Sequence, residues 1–501
     1  MKLYTAQEMS TADSNAQNLG IPGGVLMERA GAEMAGISLK TFSPKRALVV
    51  CGGGNNGGDG FVIARELRRK DVEVSVLATK DDYTGDPKTN LDALKNLDVK
   101  FIALEDLETE LRNTDLVVDA LLGTGFSGEV REKEASLIRS MNDAPALVLS
   151  VDVPSGVDGS TGEVQGEATR ADLTVCAHAA KVGCVVSPGR TYAGEVEVVE
   201  IGVPDEAEVE PSVVWTDADS LRGLIPRTED PAHKYSAGAI LVVASARSMT
   251  GAAAMVVGGA QRTGCGIVFL ATPESAAPAL DSQLTEALVY GVPEDEEGFV
   301  NGEAFENILV LAERATALVV GPGIGAGDGQ KTLLEGILRE IEVSVLLDAD
   351  AITNLAGSDA LANSDAPTLI TPHAGELGRV LDSGAKEVSA KRLYSARKAA
   401  KDFGCCVLLK GSDTLVVEGD LASVNSTGHV ALATAGTGDV LSGVIGALLS
   451  RGMEPYDAAR AGAWAHGRAA ELWAENTGWP VESLIATDLF RFLPQAVGEL
   501  L

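Results

Sequence analysis

The sequence has no apolar run long enough to cross a membrane, and its start, MKLYTAQEMSTADSNA, lacks the apolar core of a signal peptide. We therefore expect a cytoplasmic protein with no membrane partner. Basic residues are scarce, since 40 Lys and Arg stand against 72 Asp and Glu and give a formal net charge of −32. Because a surface of this sign repels phosphate backbones, we also expect no nucleic-acid partner.

Cysteines and aromatic residues are few as well. The six cysteines show no metal-ligand spacing and most lie in apolar, strand-like contexts, so we interpret them as reduced core residues. Aromatic residues make up only 4% of the chain, whereas there are 56 glycines. This composition favours closely packed α/β layers over a β-sandwich.

The chain of 501 residues is long enough for at least two domains. Short β-branched runs such as RALVV, VEVSVLA and DLVVDAL alternate with helical patterns, which predicts a mostly parallel sheet. A segment rich in prolines and acids, residues 202–232, interrupts the alternation, and a second α/β series begins after it. We therefore predict two domains, residues 1–215 and 216–501.

A glycine-rich turn, CGGGNNGGDG at residues 51–60, follows the first buried strand. It fits the dinucleotide fingerprint poorly, because the next strand ends in Thr79 and Lys80 rather than in a ribose-binding acid. Asn55, Asn56 and Asp59 instead gather oxygen atoms, which suits a hard cation. The alternative is that Asp59 only caps the following helix and the asparagines occupy left-handed turn positions.

Two further strand ends carry polar groups. Asp119 ends the strand VVDAL and precedes a second glycine loop, and Asp152 and Ser155 flank a proline after the strand ALVLSV. Ligands of parallel sheets bind beyond the carboxyl ends of the strands. These three strand ends therefore predict one binding site.

The motifs GGGNNGGDG, VVDALLGTGFSGE, VDVPSGVDGSTG and AAKVG resemble, in order and spacing, the YjeF N-terminal family of NAD(P)H-hydrate epimerases over about residues 1–215. The resemblance implies a Rossmann-like three-layer domain and a potassium ion held by Asn56, Asp119 and Ser155. It also implies that the hydrate is bound by Asn55, Asn56, Gly57, Gly58, Asp59, Gly123, Thr124, Gly125, Phe126, Ser127, Gly128, Glu129 and Asp152.

Epimerisation exchanges the R and S forms of a hydroxyl on C6, beside the ring nitrogen, by loss and return of that group. Such a step needs a positioned acid or base. We hypothesise that Asp152 has this role.

In the second half, the loop AGTGD (435–439) begins an apolar helix, VLSGVIGALL, whose buried face we predict to include Val440, Leu441, Val444 and Leu448. Loop N–H groups at a helix start can hold the charge of a transferring phosphoryl group, and Asp439 could accept a proton from the attacking hydroxyl. Alone, this motif is as consistent with a plain helix cap as with a catalytic loop.

HKYSAGAILVVAS, VVGPGIG, LLDADAI, ITPHAGELGR, LKGSDT and NSTGHVALATAGTGDVLSGVIGALL resemble, across about 225–495, the ribokinase-like superfamily and its YjeF C-terminal family of NAD(P)H-hydrate dehydratases. The resemblance implies an α/β domain with a mostly parallel central sheet, with Asp439 as catalytic base and ADP, accompanied by Mg²⁺, as co-substrate. Hydrate contacts would come from Gly323, His373, Ala374, Gly375, Glu376, Leu377, Gly378, Arg379 and Asp439, and ADP contacts from Lys410, Gly411, Ser412, Asp413, Thr414, Gly436, Thr437 and Gly438. The segment Asn425–Thr434 departs from the family's usual pattern.

We therefore expect a bifunctional enzyme that interconverts R- and S-NAD(P)H hydrates and dehydrates the S form at the expense of ADP, and that assembles as a homo-oligomer. One alternative is a small-molecule kinase with a non-catalytic N-terminal scaffold. Another is an interaction protein whose first module has lost catalysis, which the presence of Asn56, Asp119, Asp152 and Ser155 argues against.

Overall fold

The structure, a computed structural model, describes residues 1–227, 230 and 233–501. The chain divides into two compact units, unit 1 (Met1–Val214) and unit 2 (Trp215–Leu501). Within the predicted linker, residues 228, 229, 231 and 232 lie outside the described residues. No helix of the described part is both long and apolar enough to cross a bilayer.

Unit 1 is built on a parallel sheet of seven strands, ordered β4-β3-β2-β5-β6-β7-β9. Its strands, with the short parallel pair β1 and β8, are β1 (Leu3–Tyr4), β2 (Arg46–Cys51), β3 (Glu73–Ala78), β4 (Lys100–Phe101), β5 (Leu116–Ala120), β6 (Leu147–Val151), β7 (Leu173–Ala177), β8 (Ala180–Lys181) and β9 (Glu195–Val199). Its helices are α1 (Ala6–Asn18), α2 (Gly23–Phe42), α3 (Asn55–Arg69), α4 (Gly85–Lys95), α5 (Leu107–Leu111), α6 (Glu132–Asn142), α7 (Val182–Val185) and α8 (Arg190–Ala193).

Helices cover both faces of the unit 1 sheet. Along β2, Val49 packs with side chains of α1 to α4, whereas the neighbouring Leu48 packs with α5 and α6. Because successive side chains of a strand point to opposite faces, a strand with both faces buried consists almost entirely of apolar residues. This explains the continuous run ALVV and makes unit 1 the predicted three-layer domain.

Unit 2 contains a sheet of ten strands, ordered β10-β19-β18-β17-β16-β15-β14-β11-β12-β13. The strands are β10 (Val214–Thr216), β11 (Ala239–Val243), β12 (Ile267–Pro273), β13 (Leu288–Val292), β14 (Ala317–Val320), β15 (Ser344–Leu347), β16 (Thr368–Ile370), β17 (Cys406–Leu409), β18 (Leu415–Glu418) and β19 (Leu421–Asn425). Pairing is parallel from β17 through β13 and antiparallel between β17, β18 and β19.

The helices of unit 2 pack on this sheet, and α18 lies in its core. They are α9 (Ala218–Leu221), α10 (Gly251–Thr263), α11 (Ala277–Gln283), α12 (Phe305–Ala312), α13 (Asp328–Glu340), α14 (Asp350–Asn354), α15 (Ala374–Val380), α16 (Ala385–Ala390), α17 (Arg392–Phe403), α18 (Thr437–Ser450), α19 (Pro455–Thr477) and α20 (Leu489–Gly498). The predicted face of α18, with Val440, Val444 and Leu448, is fully buried. Burial of each such side chain contributes about 1.5–3 kcal/mol.

The alternative raised for residues 55–59 is wrong. Helix α3 begins at Asn55, one residue after the extended N-cap Gly54, so Asp59 lies inside the helix instead of capping it and the asparagines are not in left-handed turns. A Cβ on Gly57 would come within 1.9 Å of the carbonyl oxygen of Gly52. The glycines of this motif therefore let the first turn of α3 pack closely on the end of β2.

The cysteine interpretation is confirmed. All six are free thiols, and every one except the half-buried Cys265 is buried.

Candidate active sites

Unit 1 has a cavity of about 800 Å³ beyond the carboxyl ends of its strands. It lies where the strand order reverses, between β2 and β5, which is the usual ligand position in such sheets. The predicted residues that line it are Asn55, Asn56, Asp59, Gly123, Thr124, Gly125, Phe126, Ser127, Glu129 and Asp152. Gly57, Gly58 and Gly128 are not among the lining residues of the described chain, and a Cβ on Gly58 would meet Met27 at 2.7 Å.

Asp152 follows β6 directly and has φ +67°, a left-handed conformation that is uncommon for a residue with a side chain. Its Oδ2 accepts a hydrogen bond from Thr124 Oγ1 at 3.0 Å, and its Oδ1 accepts one from the backbone N–H of Ala177 at 3.1 Å. Cys176 Sγ donates to its carbonyl oxygen at 3.1 Å. Asp152 is therefore fixed at the cavity wall by contacts from two segments, the loop that contains Thr124 and the end of β7.

Lys181, in the motif AAKVG, forms an ion pair with Asp152 Oδ1 and is completely buried. Its ammonium also donates to the carbonyl oxygens of Ala177 at 2.8 Å and Ala179 at 3.0 Å, so all its N–H groups have partners. Burial opposes the charge, but the adjacent carboxylate prevails and raises the pKa of Lys181 above its ordinary value. The pair supplies a buried, fixed negative charge with its own counterion.

Behind the cavity, the three predicted potassium ligands lie together. Ser155 Oγ donates to Asp119 Oδ1 at 2.6 Å, and the Ser155 N–H donates to Oδ2 at 2.9 Å. Asn56 Nδ2 donates to the carbonyl oxygen of Leu122 at 2.8 Å, which leaves its side-chain oxygen for other partners. Asp119 is fully buried, and its burial raises its pKa.

In unit 2, polar side chains follow adjacent parallel strands at one edge of the sheet. Asp348, after β15, is buried and accepts hydrogen bonds from Lys410 Nζ at 2.7 Å and Ser442 Oγ at 2.7 Å. Lys410 follows β17, and its Nζ is also 3.9 Å from Glu376 Oε2. The predicted nucleotide residue Lys410 is thus linked to α18 through Asp348.

Asp439 lies in the first turn of α18, after Gly436, whose φ is +87°. Thr437 Oγ1 fixes this turn by donating to the carbonyl oxygens of Leu432 and Thr434 at 2.9 Å. Burial and the neighbouring carboxylate of Asp348 raise the pKa of Asp439 to about 7, against the opposing effect of Lys410. This value suits a group that exchanges protons near neutral pH.

The HAGELGR segment forms the start of α15. His373 is its N-cap, and Nδ1 accepts from the N–H groups of Gly375 at 2.9 Å and Glu376 at 3.2 Å. Glu376 returns the contact by accepting from the His373 N–H at 2.8 Å. Arg379 donates to Thr353 Oγ1 at 3.3 Å. Three strand ends thus bring this segment, Asp348 and Lys410 to one edge.

The other predicted hydrate and nucleotide residues lie in neighbouring loops. Gly323 has φ +72° in the loop after β14, whose Gly325 N–H donates to Asp350 Oδ2 at 3.0 Å. In the loop after β17, Thr414 Oγ1 donates to the Gly411 carbonyl at 2.9 Å. A Cβ on Gly438 would be 3.7 Å from Lys410 Nζ, so the glycine loop and this lysine are neighbours.

Asp413 points into the protein. Arg392 Nε donates to Asp413 Oδ2 at 3.0 Å, and both side chains are buried. Arg392 Nη2 also donates to the carbonyl oxygens of Leu409 and Lys410 at 3.3 Å. Arg392 therefore supports the predicted nucleotide loop from behind.

Three residues of these sites were not predicted from the sequence: Lys181, Asp348 and Arg392. Lys181 and Asp348 stand in the motifs AAKVG and LLDADAI. In both motifs a charged residue lies next to apolar strand residues, and this pattern could have indicated a buried charge with a specific role. Arg392 stands in no motif, and its role is evident only from the fold.

Two family models match the chain: "YjeF-related protein N-terminus" over residues 23–183 and "NAD(P)H-hydrate dehydratase" over residues 240–495. A bifunctional NAD(P)H-hydrate repair enzyme of Moorella thermoacetica is 34% identical, covering 100% of this chain and 97% of its own. A bifunctional NAD(P)H-hydrate repair enzyme of Salinibacter ruber is 37% identical, and the match covers 99% of this chain and 96% of that protein. The chain belongs to the family of bifunctional NAD(P)H-hydrate repair enzymes.

The fold agrees with this assignment. The crystal structure of a Bacillus subtilis ADP/ATP-dependent NAD(P)H-hydrate dehydratase, co-crystallised with ATP and Mg²⁺, is similar with a TM-score of 0.50 and 26% identity, covering 58% of this chain and 99% of that one. Both the predicted family and the predicted fold class are confirmed. The chain is a bifunctional NAD(P)H-hydrate repair enzyme with an epimerase module and a ribokinase-like dehydratase module.

Proposed function

We propose that residues 1–215 form the epimerase domain, which interconverts R- and S-NAD(P)H hydrates in the cavity of unit 1, and that residues 216–501 form the dehydratase domain, which converts the S form to NAD(P)H at the expense of ADP. The observation that carries the proposal is the presence of two separate sets of strand-end groups, one around Asp152 and one around Asp439.

In the first site, Asp152 exchanges a proton with the C6 hydroxyl. The ring nitrogen assists departure of the hydroxyl, and water returns to either face of C6. Lys181 and Thr124 hold the carboxylate in place, which supports its role, because proton transfer requires a group within hydrogen-bond reach of the reacting oxygen. The glycine loop at residues 123–129 would bind the rest of the hydrate.

Potassium fits the oxygen atoms of Asn56, Asp119 and Ser155. The donor set contains only oxygen, as hard cations prefer, and Asp119 is a buried carboxyl whose hydrogen-bond donors are neutral. A cation there would supply the positive charge that the local protein groups lack and would order the loop at Leu122. The loop contributes Gly123 and Thr124 to the cavity.

In the second site, Asp439 removes the proton of the C6 hydroxyl of the S hydrate, and the oxygen attacks the terminal phosphoryl group of ADP, which releases AMP. The ring nitrogen's lone pair then expels phosphate, and loss of a C5 proton restores the ring double bond. The backbone N–H groups at Gly436–Gly438 would stabilise charge on the transferring group. The hydrate would also contact Gly323 and the segment at residues 373–379.

We propose that ADP binds at Lys410–Thr414 and Gly436–Gly438 with Mg²⁺ on its phosphates, where the metal would neutralise charge during transfer. The pairing of Lys410 with Asp348 and Glu376 supports a role in positioning this edge as well as in binding phosphate. A homo-oligomer remains our expectation for the assembly, and light scattering would test it.

One assay tests both functions. Mixed R and S hydrate is incubated with ADP, Mg²⁺ and K⁺, and each epimer is followed by chromatography while NAD(P)H is followed by absorbance. We expect complete conversion of both epimers and release of free phosphate. Conversion that stops when S is exhausted contradicts the epimerase assignment, and a stable phosphorylated product contradicts the dehydratase mechanism and favours the kinase alternative.

A further inference from the structure

Asp13, which belongs to none of the sequence motifs, lies on the wall of the epimerase cavity. Met9, Asp13 and Gln17 of α1 all line this cavity. Their spacing of four residues places them on one face of the helix. The carboxyl of Asp13 therefore faces the same space as Asp152.

Helix α1 is held firmly where it meets the Asp152–Lys181 pair. The preceding strand β1 pairs with β8 in a register that sets Tyr4 beside Lys181. Thr5 and Glu8 form a capping box at the start of the helix, with the Thr5 N–H donating to Glu8 Oε2 at 2.6 Å. A rigid support of this kind holds a side chain in a fixed position relative to a bound ligand.

Three carboxyl groups line the cavity and interact electrostatically: Asp13 on α1, Asp59 on α3 and Asp152 after β6. The positive charge of Lys181 attracts all three carboxyl groups. Its three N–H groups, however, already donate hydrogen bonds to Asp152, Ala177 and Ala179. Within residues 1–227, 230 and 233–501, the Asp13 carboxyl has no protein hydrogen-bond partner. It is thus available to a ligand.

We propose, on the basis of the proposed epimerase function, that Asp13 is a second catalytic residue of the epimerase site, exchanging a proton with the C6 oxygen of the hydrate in alternation with Asp152. Epimerisation adds water to C6 on the face opposite to the one it leaves, so two proton-transfer groups at different positions in the cavity suit the reaction. Asp152 is the carboxylate, with Lys181 as its counterion, and the protonated form of Asp13 is the acid.

In each direction of the reaction, one carboxyl gives up a proton and the other gains one. The Asp13 carboxyl gives its proton to the C6 hydroxyl, the C6–O bond breaks, water leaves, and the ring nitrogen's lone pair forms a double bond to C6. Water then adds to the opposite face of C6 and gives a proton to Asp152. Water in the cavity returns that proton from Asp152 to Asp13, and the reverse reaction uses the two residues in the opposite order.

Asp59 is less suited to this exchange. Burial, and then the charge of Asp152, raise the pKa of Asp59 well above its ordinary value. Burial raises the pKa of Asp13 only to about 6, with Lys181 lowering it and Asp152 raising it. A catalytic acid or base is most effective when its pKa is near the working pH.

The test is R-to-S conversion of purified R hydrate by the full chain, measured as kcat/KM across pH 5–9. In the wild type we expect activity to fall as pH rises through about 6, because Asp13 loses its proton. Asp13→Asn should lower kcat/KM by about 10²–10⁴-fold and abolish its fall with pH near 6. Asp13→Glu should have a lower kcat/KM than wild type but should keep this fall. Glu33→Gln, which removes an exposed carboxylate on α2, is the matched control and should behave as wild type.

Conversion of S hydrate with ADP, measured on the same samples, checks that unit 2 of each variant is intact, and a melting temperature close to that of wild type checks unit 1. A wild-type epimerisation rate in Asp13→Asn, or an unchanged fall of kcat/KM with pH, overturns the role of Asp13. Asp152→Asn distinguishes the role of Asp13 from the proposed epimerase function of the cavity. If Asp152→Asn is inactive and Asp13→Asn is fully active, only the role of Asp13 fails. If Asp152→Asn and Asp13→Asn are both fully active, the assignment of this cavity to epimerisation fails as well.

Discussion

At the residue scale, the proposed dehydratase mechanism depends on the protonation of Asp439. A base must be ionised to accept a proton, and the pKa of this carboxyl is raised to about 7 by burial and by Asp348. We expect the dehydration rate to rise with pH through about 7 and then to level off. Asp439→Asn should abolish NAD(P)H formation from S hydrate and ADP while epimerisation continues.

The same carboxyl affects stability in the opposite direction. Because the folded-state pKa is above the unfolded value, the stability contributed by the neutral group is lost as pH rises through about 7. Asp439→Asn should therefore melt at a higher temperature than wild type at pH 8, with a smaller difference at pH 5. Thermal melts at the two pH values measure this, and equal differences at both would contradict a buried ionisable group at position 439.

Single residues were predictable where glycine-rich motifs and strand ends coincide. Asp152 and Asp119 follow this rule, and the structure brings both to one end of the unit 1 sheet. Lys181 and Arg392 were not assigned roles, because a buried charged residue is explained by its partner, and the partner is distant in the sequence. Only the folded chain shows which carboxylate each one meets.

At the element scale, the loop between β17 and β18 depends on α17. Arg392→Met removes the buried ion pair between Arg392 Nε and Asp413 Oδ2, which should lower the free energy of unfolding by up to about 3–5 kcal/mol, and it removes the donor to the Leu409 and Lys410 carbonyls. The loop should then bind ADP less well. We expect a raised KM for ADP together with a lower melting temperature.

A double variant separates these two effects. Arg392→Met with Asp413→Leu removes both charges and should recover most of the lost stability, since a buried ion pair can often be replaced by apolar side chains. The KM for ADP should remain raised, because the loop carbonyls still lack their donor. Lys401→Met, at an exposed position of α17, is the control. If the double variant regains the wild-type KM, the loop does not depend on Arg392 for its position.

Strands were the most predictable elements, because parallel strands buried on both faces form continuous β-branched runs such as Ala239–Val243. The start of α3 was not predictable, since asparagine and glycine ordinarily favour turns. Close packing of Gly57 and Gly60 against β2 overrides that preference here. The short strand β19 also lacked a signal, because LASVN has only two β-branched or large apolar residues, Leu421 and Val424, and Leu421 is exposed.

At the scale of the whole molecule, the net charge of −32 makes the folded chain repel itself, and salt screens this repulsion. A salt that acts only by screening charge should therefore raise the melting temperature. Potassium should add a specific increment, because a ligand that binds only the folded state stabilises it, by about 2.7 kcal/mol at about 100 times its Kd. The comparison is KCl against tetramethylammonium chloride at equal ionic strength.

Asp119→Asn makes this comparison specific to the proposed potassium site. The substitution removes one charge of the 72 acidic residues and so leaves the general salt effect almost unchanged. It also removes the buried carboxylate that the ion would neutralise, so the extra stabilisation by KCl should disappear. Equal melting temperatures of the wild type in KCl and in tetramethylammonium chloride would mean that the oxygen atoms of Asn56, Asp119 and Ser155 bind no potassium. The hydrogen bonds of these three residues would then be what stabilises this end of the sheet.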